Sequence, residues 1–253
     1  MNQLPDLDGN PIDNANLEAH VEAMPVSERI EMSQQVLVLE AVRTYYFAKA
    51  FRMGIRELAT EIPESDSHPM TMMGKDLMRL AVINVASVNN KGSRTKSLPN
   101  TLGVLKAALS GLQVSDAEAA ISLIDEISKS INADTQLPLK YLRHMRNKWA
   151  GHASLDRHVD DWADAGSTLS LPLIEEGLAR LVNAHQDLSE VLNMSAEARR
   201  VAAEAVAKPA VIDGIETVPM TFDWSSAVVI AEVVRDAAKN SATRMAKRLV
   251  ARS

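Results

Sequence analysis

Apolar side chains recur at every third or fourth position along most of this 253-residue chain, which is the spacing of one face of an α-helix. A first helix is predicted over residues 27–60, and Pro63 ends it because proline lacks a backbone N–H and clashes with the preceding turn. A second is expected over residues 69–88. Four more helices follow, starting at Ser97, at the Ser115/Glu118 capping box, at Pro138 and at Ser170. The pattern predicts an all-α protein.

The C-terminal part of the chain departs from this pattern. Residues 210–222 hold an Asp213-Gly214 pair between two short β-branched runs, which is typical of a β-hairpin. Asp223 is then expected to cap a last helix. We therefore divide the chain into three parts: an acidic lead-in (1–26), an antiparallel helical bundle (27–195), and an extension packed on the bundle (196–253).

Charge and cysteine content restrict the possible functions. The chain has 27 Lys and Arg against 33 Asp and Glu, and this net charge of −6 argues against binding nucleic acid over the whole surface. It has no cysteine, which excludes disulfides, cysteine nucleophiles and cysteine-based zinc sites. The N-terminus does not resemble a signal peptide, and no segment approaches the ~20 apolar residues that span a bilayer. We expect a cytoplasmic protein without a membrane partner.

Common motifs of nucleotide, metal and hydrolase chemistry are absent. The sequence contains no GxGxxG, GxxxxGK[ST], HExxH or GxSxG. His144, His152 and Asp156 lie in one region, but their spacing is unusual for metal ligands. We therefore predict no metal and no cofactor.

One segment differs strongly from the average charge. Residues 140–158 carry five Lys or Arg against one acid, a local charge of +4, and three of the six histidines. On a helical wheel of 100° per residue, Arg146 and His152 flank an apolar stripe on opposite sides. The stripe consists of Leu142, Met145 and Trp149. The simplest interpretation is a basic helix end that stabilises the helix macrodipole.

The spacing within this segment favours a more specific interpretation. Residues 146–152 read R-N-K-W-A-G-H: an arginine, a polar residue beside it, and a histidine six positions after the arginine. This resembles the signature of the HEPN superfamily (higher eukaryotes and prokaryotes nucleotide-binding domains). The wider sequence RNKWAGHASLDR is similar to the AbiU-type branch, which is linked to abortive infection. The serine-led helix at Ser97 is similarly placed, and the resemblance covers residues 30–195.

The resemblance implies a HEPN-like bundle that forms a homodimer and acts as a metal-independent endoribonuclease, in phage defence or as a toxin with an antitoxin protein. Arg146 would stabilise the phosphate transition state, His152 would act as general acid and base, and Asn147 would orient the phosphate or the arginine. The Arg and His of both protomers would meet at the dimer interface. Histidine, with a pKa near ~6.5, suits the proton transfers of RNA cleavage through the 2′-OH. A guanidinium suits the anionic transition state.

Further basic residues are candidates for RNA contact. They are Arg143, His144, Lys148 and Arg157 around the motif, and Lys91, Arg94 and Lys96 in the loop before Ser97. A solvated loop explains the last three equally well. A basic run over residues 235–252 either extends an RNA surface or matches the dipole of a terminal helix.

Two other features have mainly structural interpretations. His185 stands where a helical stripe requires an apolar residue, which favours a core or interface histidine with satisfied hydrogen bonds over a ligand. Tyr45, Tyr46 and Phe47 could stack on bases, but aromatic residues at helical spacing usually belong to a core.

A second function class remains open from the sequence. The net acidity and the acidic N-terminus are compatible with a non-catalytic helical binding or regulatory dimer. RNA cleavage, or its absence together with stable capture of a partner, distinguishes the two.

Overall fold

The computed structural model describes residues 26–92, 97–110, 117–147, 169–194, 211–212, 215–216 and 227–251. Seven helices lie in these ranges, so the chain is all-α as predicted. They are α1 (Val26–Glu57), α2 (Glu64–Val88), α3 (Leu98–Ser110), α4 (Ala117–Ser130), α5 (Leu137–Met145), α6 (Leu171–Met194) and α7 (Ala227–Val250). Within these ranges, no helix is both long and apolar enough to cross a bilayer.

A short hairpin is present where the sequence predicts one. The strands β1 (Val211–Ile212) and β2 (Ile215–Glu216) pair antiparallel, with Val211 opposite Glu216 and Ile212 opposite Ile215. Each strand has only two residues, so the hairpin adds little to the fold. The predicted caps at Ser115 and Asp223 and the acidic lead-in up to residue 25 lie outside the described residues.

The long helix α1 packs against both α2 and α7. It runs parallel to α7. Tyr46 lies under the Lys239 ammonium at 5.1 Å, and about two turns further along both helices Gly54 lies beside Ala246. A Cβ at Gly54 would come within 3.0 Å of the Ala246 Cβ. Small residues at this crossing therefore let the two helix backbones approach closely.

The helix α6 is central to the main core, since it contacts α1, α2, α4, α5 and α7. Its buried face carries Ile174, Leu178, Leu181 and Leu188, which follow the three-to-four-residue spacing of one helix face. The aromatic run of α1 packs against the cores as well: Tyr45 is fully buried, and Tyr46 and Phe47 are partly buried. These rings stabilise the fold and do not form an open base-stacking surface.

The start of α2 differs from the prediction. The helix begins at Glu64, five residues before the expected start at Pro69, and Pro69 lies inside it. Glu64 and Asp66 occupy the first turn, where acidic side chains stabilise the positive end of the helix dipole. Pro69 is exposed near that end, and its ring removes a single backbone hydrogen bond.

The short helix α5 is held tightly against α6. Leu142 is 2% exposed, and a Cβ at Gly177 of α6 would lie 2.5 Å from its Cδ1 atom. The backbone N–H of Ser170, just before α6, donates a 2.7 Å hydrogen bond to the Tyr141 hydroxyl. These contacts fix the orientation of α5 and of the basic residues that it carries.

Candidate phosphate-binding cleft

The candidate site begins at the C-terminal end of α5. The helix ends at Met145, and the chain continues through Arg146 and Asn147 in a wider π-helical turn. Leu142 is buried and Met145 is partly buried against the main core, and Arg146 is half-buried at the edge of that face. The helix thus places the arginine of the motif at the border between core and solvent.

A cleft of about 130 Å³ opens at this border, where the end of α2, the turn after α4 and the helix α5 meet. Its walls are formed by Ala86, Asn89, Asn90, Lys91, Ala133, Leu139, Leu142, Arg143 and Arg146. Drug-sized ligands occupy pockets of roughly 300–1,000 Å³, whereas one water takes about 30 Å³ of liquid volume. The cleft therefore has room for a phosphoryl group and not for a whole nucleotide.

Side-chain hydrogen bonds hold the α2 side of the cleft in place. The Asn89 amide donates to the Ile131 carbonyl at 2.9 Å, which joins the end of α2 to the end of α4. The Ser97 hydroxyl donates to the Asn90 carbonyl, and the Asn100 amide donates to the Gly92 carbonyl at 2.7 Å. The chain on either side of Lys91 is thereby tied to the neighbouring helices.

Three cationic side chains line the cleft and one carboxylate lies beside it. The Asp134 Oδ1 atom pairs with Arg143 Nη1 at 2.8 Å, and its Oδ2 atom lies 3.8 Å from Lys91 Nζ. The Arg143 guanidinium, and to a smaller extent Lys91 and Lys140, lower the pKa of Asp134 below its usual value. Among the described residues, three cations and one anion give the cleft a net positive charge.

Arg146 is oriented by its neighbour. Its Nε–H donates a 3.1 Å hydrogen bond to the Asn147 Oδ1 atom. Among the described residues no other partner binds this guanidinium, so within that part of the chain its two terminal NH₂ groups keep their capacity to donate hydrogen bonds. A guanidinium held in this way can contact two oxygens of one phosphate.

The structure brings together some of the predicted site residues. Lys91, Arg143 and Arg146 line one cleft although Lys91 is more than 50 positions away in sequence. Asn147 binds Arg146, and His144 is half-buried on α5 outside the cleft lining. The candidates outside the described residues are His152, Lys148, Arg157, Arg94 and Lys96.

Sequence reasoning missed three polar residues of this region: Asn89, Asn90 and Asp134. The Asn-Asn pair directly after a helix is a signal for a chain reversal that could have drawn attention to this end of α2. Asp134 had no comparable signal, because its partners are set by the packing of α2 against α5.

A buried polar side chain outside the cleft is His185. It is 2% exposed on α6, and no described residue forms a hydrogen bond with either ring nitrogen. Burial alone lowers its pKa to about 4, so the imidazole is neutral near pH 7. The expectation of a core position is met, whereas the expectation of satisfied hydrogen bonds is contradicted among the described residues.

The other described surfaces are weaker candidates for a functional site. A shallow groove of about 390 Å³ runs beside α7 and is lined by Ser241, Arg244, Met245, Arg248 and Leu249. Further back on α7, Arg235 and Lys239 pair with Asp236, so part of the basic run is neutralised locally. In the part of the chain that the structure describes, no group of three His, Asp or Glu side chains is placed to hold a metal ion.

Comparisons of the chain with protein-family models, with curated proteins and with solved structures found no match.

Proposed function

We propose that this protein is a metal-independent endoribonuclease of the HEPN type, in which the α2–α5 cleft binds the RNA phosphate. The observation that carries the proposal is the position of Arg146. It belongs to the R-N-K-W-A-G-H motif and lies half-buried in a basic cleft of phosphoryl size. In this proposal the protein acts in phage defence or as the toxin of a toxin–antitoxin pair.

The roles of the residues follow from their chemistry. Arg146, oriented by Asn147, binds the phosphate and stabilises the extra negative charge of the transition state. His152 removes the proton from the 2′-OH or delivers one to the leaving 5′ oxygen, which needs a group that titrates near neutral pH. Arg143 and Lys91 hold the adjacent phosphate backbone. The reaction uses groups of the chain alone and leaves a 2′,3′-cyclic phosphate.

A homodimer would supply two copies of the motif to one active site. The apolar face of α5 does not provide that interface, because Leu142 is already buried against α6. We therefore expect the two protomers to meet through a surface other than the Leu142 face. RNA contact through Lys148, Arg157, Arg94 and Lys96 belongs to the same proposal.

RNA cleavage by the purified full chain in EDTA is the direct test. Structured RNA should be cut to products with cyclic phosphate ends. His152→Ala and Arg146→Ala should each lower the cleavage rate by about 100-fold or more, in the range of general acid–base and electrostatic contributions. His68→Ala and Arg43→Ala are matched controls, since both side chains are exposed and Arg43 pairs only with Glu40 among the described residues.

Two results would contradict the proposal. If His152→Ala cleaves as fast as the wild type, the assignment of the catalytic site is wrong. If the wild type binds RNA or a protein partner but never cleaves, the protein is a non-catalytic helical binding module.

A further inference from the structure

The turn between α4 and α5 presents one acidic side chain to the cleft. The Asn132 carbonyl accepts hydrogen bonds from the backbone N–H groups of Thr135 (3.1 Å) and Gln136 (2.9 Å). The Asn132 side-chain Oδ1 atom accepts one from the N–H of Asp134 at 3.0 Å. The turn is thus held by Asn132 and by backbone groups, and the Asp134 carboxylate is not needed to maintain it.

That carboxylate bridges two cations from different parts of the fold. One oxygen pairs with Arg143 of α5 and the other lies near Lys91, which follows α2. Two anionic oxygens between a guanidinium and an ammonium reproduce the arrangement that a phosphate would adopt there. Both cations also line the cleft that contains Arg146.

We propose that Asp134 is a built-in competitor for phosphate: a phosphoryl group entering the cleft displaces it from Arg143 and Lys91. Arg146, which has no acidic partner among the described residues, makes the first contact with the phosphate. Asp134 then turns toward solvent and releases the other two cations. This inference rests on the proposed function in one respect, namely that the same cleft receives the phosphate of the RNA.

Because the side chains are exposed, Asp134 weakens phosphate binding and does not prevent it. The side chains of Asp134 and Lys91 are about 60% exposed, and that of Arg143 is 44% exposed. Ion pairs this exposed are weak, and each changes an equilibrium by roughly fivefold at most. Removing the competitor from both cations should therefore strengthen phosphate binding by about threefold to tenfold.

Titration of the full chain with inorganic phosphate at low ionic strength tests the inference without RNA. Asp134→Asn keeps the turn and removes the charge, and its Kd for phosphate should be about threefold to tenfold lower than that of the wild type. Asp76→Asn is the matched control, since Asp76 pairs with Arg79 within α2, away from the cleft lining, and is equally exposed. Its Kd should equal that of the wild type.

The same substitution in a background without both cations shows whether the change in phosphate affinity depends on the ion pairs of Asp134. In an Arg143→Gln/Lys91→Gln background, Asp134→Asn should change the Kd by less than about twofold, because the competitor has lost its partners. Equal or weaker phosphate binding by Asp134→Asn, or no detectable binding by either protein, would overturn the inference. RNA cleavage is measured separately. If the chain binds phosphate in this way but does not cleave RNA, the proposed ribonuclease activity is wrong and the inference about Asp134 stands.

Discussion

The cleft and the surroundings of His185 are two polar regions of one bundle that are built in opposite ways. In the cleft, Lys91, Arg143 and Asp134 are charged and exposed, and ion pairs link the two cations to the one carboxylate. In the core, His185 is almost completely buried, has no hydrogen-bond partner among the described residues and is neutral. The exposed ion pairs of the cleft can break and re-form with little change in free energy. Protonation of the buried His185 costs free energy, so its contribution to stability depends on pH. Because of this difference in burial, we expect ligands to affect the cleft and acid to affect the stability of the core around His185.

The largest expected effect is acid destabilisation through His185. Its pKa is about 4 in the folded chain and near 6.5 in the unfolded chain, so only the unfolded chain binds a proton between these values. The stability that this group contributes is complete above pH 6.5 and is lost as the pH falls toward 4. The loss amounts to about 3 kcal/mol.

Urea unfolding at pH 7.5 and pH 4.5 measures this effect, with His185→Leu as the comparison. The difference in unfolding free energy between the two pH values should be smaller in the variant by most of the loss of about 3 kcal/mol. The comparison is needed because burial also raises the pKa of Asp187, which changes stability with the opposite sign. Identical pH dependence of wild type and variant would show that His185 is hydrated or paired.

A smaller effect is expected where the core and the cleft are joined, at Gly177. A Cβ there would lie 2.5 Å from Leu142 Cδ1 and 3.4 Å from the Pro138 carbonyl, so the Leu142 side chain or the helix that carries it must shift. Gly177→Ala should destabilise the fold by about 1–2 kcal/mol despite its better helix propensity. Because Arg143 and Arg146 follow Leu142, cleavage should slow as well.

Gly103→Ala is the control for that substitution, since no atom lies within 4 Å of the new Cβ. It should leave stability unchanged or raise it by up to about 1 kcal/mol. Thermal unfolding and the cleavage rate are measured on both variants. If Gly177→Ala is as stable and as active as Gly103→Ala, the packing of α5 does not control the cleft.

The smallest effect is expected for the contact that orients Arg146. Asn147→Ala removes the hydrogen bond to Nε, and a bond of this kind contributes about 1 kcal/mol, or roughly fivefold in rate. RNA cleavage under single-turnover conditions measures it. Asn240→Ala, an exposed change on α7, should keep the wild-type rate. A fully active Asn147→Ala would mean that Arg146 is positioned by the π turn alone.

The helices could be predicted from the sequence because the burial of one helix face follows directly from residue spacing. The buried face of α6 is an example. The strands at residues 211–212 and 215–216 follow instead from the Asp-Gly pair between two β-branched runs. The start of α2 could not be predicted from Pro69, since an exposed proline near a helix end costs little when acidic residues favour an earlier start.

The candidate site could be predicted only in part, for a related reason. Arg146 and Asn147 follow from a local motif, and Lys91 was proposed as a basic loop residue. Their common cleft depends on how α2 packs against α5, which no local pattern encodes. The same applies to Asp134, whose role becomes visible only through its distances to Arg143 and Lys91.

The bond between Ser170 and Tyr141 has a consequence for how this protein can vary. It brings the start of α6 back to α5, so the described chain up to residue 147 and the described chain from residue 169 are held at the same helix. The packing of Leu142 against Gly177 adds to this contact. A substitution between these two fixed points would leave in place the wall of the cleft that carries Arg143 and Arg146. Substitutions at His152 are therefore expected to leave the packing of α5 against α6 unchanged.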